Sequence, residues 1–136
     1  MPSRTARKTE KRPSAFDVNP SRVVLNVLGY SENEEWVALA LEMDLRGYGP
    51  TFREALEELT DVVATQIRFA HFKGQAELIW KSAEPVWFER FADIRRERLN
   101  ALVQDRQPLD PSFDVASLVI PPTVAARKPE FIRAEI

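Results

Sequence analysis

Residues 36–59 read WVALALEMDLRGYGPTFREALEEL, and this stretch decides the fold class because it passes without a break from a strand through a sharp turn into a capped helix. From Trp36 to Met43 the side chains alternate. Val37, Leu39, Leu41 and Met43 fall on one face and Trp36, Ala38, Ala40 and Glu42 on the other, the period of a half-buried strand. Asp44, Gly47, Gly49 and Pro50 then break the alternation, and the two glycines admit either a positive φ or a close approach by another segment. Thr51 and Glu54 form T-x-x-E, a capping box worth about 1 kcal/mol. In it the Thr51 hydroxyl accepts from the Glu54 amide, and the Glu54 carboxylate returns to the Thr51 amide. The helix that follows carries Phe52, Ala55, Leu56, Leu59, Val62, Val63, Ile67 and Ala70 at 3, 4, 7 spacing, one apolar stripe aimed at a sheet.

Upstream, Arg22 to Leu28 alternates and is rich in β-branched residues, so it reads as a strand. Gly29 to Glu35 is polar and acidic and reads as a hairpin loop, and Leu45 to Tyr48 as a short third strand. The expected unit is therefore α+β: a three-stranded antiparallel sheet in β-β-β-α order on one long helix. Downstream, a helix from Phe52 to Lys73 would be about 33 Å long against roughly 23 Å for a seven-residue strand. It must overhang the sheet, leaving Ile67, Phe69, Ala70 and Phe72 to be covered by the C-terminal half of the chain or by a second subunit. Gly74 suits a helix C-cap, and Lys73 suits the negative end of the helix. Ala76 to Trp80 is compatible with a helical turn or a strand. Pro85 opens a second amphipathic helix with Phe88, Phe91, Ala92, Leu99, Leu102 and Val103 in its stripe, broadened by Trp87 and Ile94. Its charges Glu89, Arg90, Asp93, Arg96 and Glu97 read as a solvated face. From Pro108 the chain is proline-rich, with Ser117 to Ile120 as its short apolar run, an extended tail able to add an edge strand or to reach onto a neighbouring subunit.

A chain of 136 residues with 44% hydrophobic residues supports one core. The expected organisation is a disordered basic arm over 1–20, a single α+β domain over 21–106 (core 22–73, helical extension 75–106) and a proline-rich tail over 107–136. The net charge of −2 is unevenly spread: residues 1–13 hold five basic groups against Glu10, leaving 14 basic and 20 acidic residues elsewhere. Without cysteine there is neither a disulfide framework nor a thiolate metal site. Neither a signal-type apolar segment nor a membrane-length run follows the basic start, so a cytoplasmic protein without membrane contact is expected.

Chemistry-bearing groups are sparse. His71 has no second histidine or aspartate four residues away, so it reads as a helix-end residue rather than a ligand. Glu32, Glu34, Glu35, Glu42 and Asp44 could supply a divalent metal site of the nuclease type only if they converged. Phosphate loops, nucleophile elbows and H-E-x-x-H are lacking. The expectation is a non-enzyme with no catalytic residue, cofactor or metal. Arg4, Arg7, Lys8, Lys11 and Arg12 are the candidate phosphate contacts should the chain bind nucleic acid, its alternative role as a binding or regulatory protein. Trp80, Trp87 and Phe88 could stack on bases, but their helical spacing suits a core or interface.

The central stretch resembles the HicB-like antitoxin family, in which W-x-A-x-x-L-E-x-D leads to G-x-T-x-x-E-A and a long helix. Those positions are Trp36, Ala38, Leu41, Glu42, Asp44, Gly49, Thr51, Glu54 and Ala55, with Leu59 continuing the pattern. The similarity covers about residues 22–70. It implies a partial RNase-H-like core without catalytic carboxylates, a homodimer, and neutralisation of a small HicA-like mRNA-cleaving toxin. Residues 75–136 depart from the DNA-binding modules of promoter-repressing family members, showing neither a helix-turn-helix nor a ribbon-helix-helix pattern.

Overall fold

The computed structural model describes residues 23–121 and 130–133, so the basic arm over 1–20 lies outside the described residues. In chain order the elements are β1 (Val23–Glu32), β2 (Glu35–Ala40), β3 (Leu45–Gly49), α1 (Phe52–Lys73), a 3-10 turn (Ala76–Ile79), α2 (Pro85–Val103), β4 (Phe113–Ile120) and β5 (Glu130–Arg133). β1 turns back into β2 through Asn33 and Glu34 alone, whose φ angles of 55° and 63° form the two-residue hairpin turn that matches strand twist. The stretch Gly29–Glu35 is thus mostly paired strand, not loop. Its polarity marks the exposed end of a hairpin, where Glu32 still pairs with Glu35.

The sheet has five strands in the order β3-β2-β1-β4-β5, antiparallel at every junction. The expected three-stranded sheet is corrected here. Phe113–Ile120, read from sequence as part of a tail, pairs with β1 from Tyr30↔Phe113 to Val23↔Ile120 and is an interior strand. Asp114 hides the first half of this strand from a hydropathy reading, although it is buried beside Arg98. The edge on this side is β5.

Each face of the sheet has its own helix. Leu25, Val27, Ala38, Ala40, Ala116, Leu118 and Ile120 pack under α1 with Phe52, Ala55, Leu56, Leu59 and Val63. The alternate positions Leu28, Leu39, Leu41 and Val115 pack with Phe91 of α2, flanked by Trp87, Phe88 and Ile94. β2 is therefore buried on both faces, where a half-buried strand was expected: Val37 to Leu41 is closed to solvent throughout. Each large side chain so buried contributes about 1.5–3 kcal/mol.

Small residues let α1 sit down on the sheet. A Cβ on Gly47 would lie 2.4 Å from the Leu59 amide nitrogen and 2.5 Å from the Ala55 carbonyl oxygen, and one on Gly49 would lie 2.8 Å from the Ala55 nitrogen. Both glycines have ordinary negative-φ backbones, so close approach is their reason. Thr51 caps the helix by accepting from the Glu54 amide at 3.1 Å, as expected. The second arm differs: the Thr51 hydroxyl meets the Glu54 carboxylate at 3.1 Å in place of the Thr51 amide doing so. At the far end Gly74 takes φ 66°, and the Gly74 and Gln75 amides donate to His71 and Ala70 carbonyls, a Schellman-type stop. The chain then folds back as the 3-10 turn, which resolves the ambiguity over Ala76–Trp80, and Gln66 Nε2 donates to the Leu78 carbonyl at 2.9 Å.

Candidate interaction surfaces

The ten motif residues fall together in the β2–β3–α1 unit, and each has a structural task. The Trp36 ring lies 5.6 Å from that of Phe52, and Ala38 provides a flat seat under α1. Leu41 is buried on the α2 side, and its carbonyl accepts from the Ala83 amide at 2.8 Å. Glu42 ends the β1–β2 ladder by taking the Asn26 amide at 2.9 Å and the Asn26 side-chain NH2 at 2.8 Å. Asp44 occupies the left-handed turn position at φ 53° and pairs with Arg46 at 3.2 Å. Gly49, Thr51, Glu54, Ala55 and Leu59 build the start and underside of α1.

Glu42 and Asp44, the two strand-end carboxylates of the metal-site reading, are thus bonded to different partners, and among the described residues no three His, Asp or Glu side chains gather to hold a metal. Arg4, Arg7, Lys8, Lys11 and Arg12 lie outside the described residues.

On the α2 side Tyr30 stacks on Trp87 at 5.2 Å, and the Arg46 guanidinium lies 5.9 Å from the Trp87 ring centre. Burial works against the Arg46 charge, but Tyr30 and Asp44 outweigh it and hold its pKa above the ordinary value. At the end of α2, Arg98 pairs with the buried Asp114 at 3.0 Å and donates to the Phe113 carbonyl at 2.6 Å. Glu97 is not simply a solvated charge. It accepts from Arg106 at 2.8 Å and from the Leu109 amide at 3.1 Å, and the Arg106 hydrogen bond foremost holds its carboxyl below the usual range.

Besides Val23, Val24, Tyr48, Val86 and Leu109, large apolar side chains among the described residues stay in solvent at the far ends of the two helices. One is the end of α1 with the 3-10 turn, where Phe69 is 48% exposed, Phe72 84% and Trp80 51%. The expected overhang is only partly covered: Ile79 packs beside Ile67, while the two phenylalanines stay outside. The other place is the second half of α2, where Leu99, Leu102 and Val103 are exposed. They were expected in the buried stripe, but that stripe is Trp87, Phe91, Ile94, Arg98 and Ala101. Arg98 took a core-facing position that a hydropathy reading gives only to apolar residues.

The sheet edge at β3 is guarded, because the Glu58 carboxylate accepts from the Tyr48 amide that would otherwise face an incoming strand. Glu58 sits about two turns after the Thr51 cap, on the outer side of α1, which gave its role no signal in the sequence.

The described residues thus define an antiparallel sheet held between two helices, with apolar surface exposed at the far ends of both helices. Among them no helix is long and apolar enough to cross a membrane. Compared with family models, with curated proteins and with solved structures, the chain matches none of them.

Proposed function

We propose that the protein is a binding protein of the HicB-like antitoxin type, a homodimer that neutralises or sequesters a small partner such as a HicA-like mRNA-cleaving toxin, without itself performing catalysis. The observation that carries the reading is the exposed apolar row of Leu99, Leu102 and Val103 on a helix whose opposite side is already packed. Exposed apolar rows of this kind mark protein–protein contact. The β-β-β-α order of β1–β3 and α1, with the motif residues at the strand ends and helix start, supports the family resemblance.

Co-expression of the full chain with the adjacent open reading frame, followed by pull-down, tests the proposal. A small basic protein should co-purify, and Leu102→Ser, at a position 63% exposed, should reduce its capture without altering the circular dichroism of the chain. A neighbour that is not small and basic and does not co-purify overturns it.

A further inference from the structure

The side of α1 turned away from the sheet has a pattern that helix–core packing does not require. Counting turns from the buried row Ala55, Leu59, Val63 and Ala70, the row most distant from the core is Glu54, Glu58, Asp61, Thr65, Arg68 or Phe69, and Phe72. This is where an amphipathic helix is ordinarily polar. Its first half is acidic (Glu54, Glu57, Glu58 and Asp61 against Arg53), and its second half is basic and aromatic (Arg68, Phe69, Phe72 and Lys73). The helix macrodipole explains acid in the first turn and base in the last. It does not explain two phenylalanines about one turn apart, one of them 84% exposed and the other half-exposed with the Lys73 ammonium 5.9 Å from its ring.

A surface acidic at one end and basic-aromatic at the other is complementary to itself when inverted, which is what a two-fold interface demands. We infer that the outer face of α1 is where two copies of this chain pair, with their α1 helices antiparallel about an axis near Thr65. Residues whose numbers sum to about 130 then come within reach of one another. Asp61 comes opposite Arg68 of the second copy and Val62 opposite Phe69 of the second copy, each contact made twice. Phe72 covers the stem of Glu58. A strand-to-strand dimer through β3 is disfavoured by the Glu58 guard on the Tyr48 amide. The inference rests on the dimer in the proposed function and assigns its face; capture of a toxin-like partner is separate from it.

Sedimentation equilibrium of the full chain, from low micromolar to high micromolar concentration, tests it with charge reversals. Asp61→Arg and Arg68→Asp should each weaken self-association about tenfold or more, since each reversal acts twice across the two-fold. An equimolar mixture of the two variants should restore a dimer, because every cross pair is again of opposite sign. Phe72→Gln, at a nearly fully exposed position, should weaken the dimer with circular dichroism unchanged. Wild-type association should also fall as salt rises. A wild-type chain that stays monomeric overturns the dimer and this face together. A dimer indifferent to the reversals and to Phe72→Gln overturns the face and leaves the dimer standing.

Discussion

Gly47 is the residue on which the contact between α1 and β3 turns. An added methyl would meet helix backbone on two sides, at the Leu59 nitrogen and the Ala55 oxygen, and neither can swing away as a side chain does. Gly47→Ala should therefore cost at least about 1–3 kcal/mol, the usual range for overpacking. Thr51→Ala removes only a cap and should cost about 1 kcal/mol. Urea unfolding of the two variants gives the order, and Gly47→Ala proving the milder change would mean that α1 is not seated on β3. The stretch Trp36–Leu59 announced both glycines as turn formers or close-approach points, and the structure selects close approach. What could not be read was which segment approaches, because the packing partner of Gly47 is set by the helix register eight to twelve residues later.

At the scale of elements, α1 was legible from its spacing, its cap and its stop, since all three act within a few residues of chain. α2 was legible as a helix but not in its orientation. Its apolar residues form two rows, and the sequence does not say that the buried row is the one containing Arg98, because the compensating Asp114 comes from a distant strand. The connection after α2 depends on Glu97, which ties Arg106 and the Leu109 amide. Its carboxyl is held below the usual range in the folded chain, so its stabilising effect is complete above the ordinary glutamate pKa. That effect is lost as pH falls through the lowered folded value. Hydrogen-exchange protection of the Leu109 amide should accordingly decline in acid, and Glu97→Gln should flatten that decline. Protection that stays constant through the acid range in the wild type would show that Glu97 does not hold this connection.

At the scale of the molecule, the departure from the expected three-stranded sheet comes from two pairings, β1 with β4 and β4 with β5, the first of them between nearly opposite ends of the described chain. Local patterns carry no information about such a partner, and the prolines and Asp114 around the strand obscured it further. Val115, Ala116 and Leu118 are almost wholly buried, so a chain cut after Arg106 should lose cooperative unfolding, whereas a dispensable tail would leave it intact. Thermal denaturation followed by near-ultraviolet circular dichroism decides between them.

The place of β4 also bears on how the protein is made. During synthesis β1, β2, β3 and both helices leave the ribosome before β4, the interior strand that flanks β1, and until then the open flank of β1 has no backbone partner. Pairing of such high sequence separation is slow, and an unfilled flank is prone to aggregate. The nascent chain therefore has to wait for Phe113–Ile120 before the sheet can close, a delay that makes its yield sensitive to translation speed and to chaperone supply.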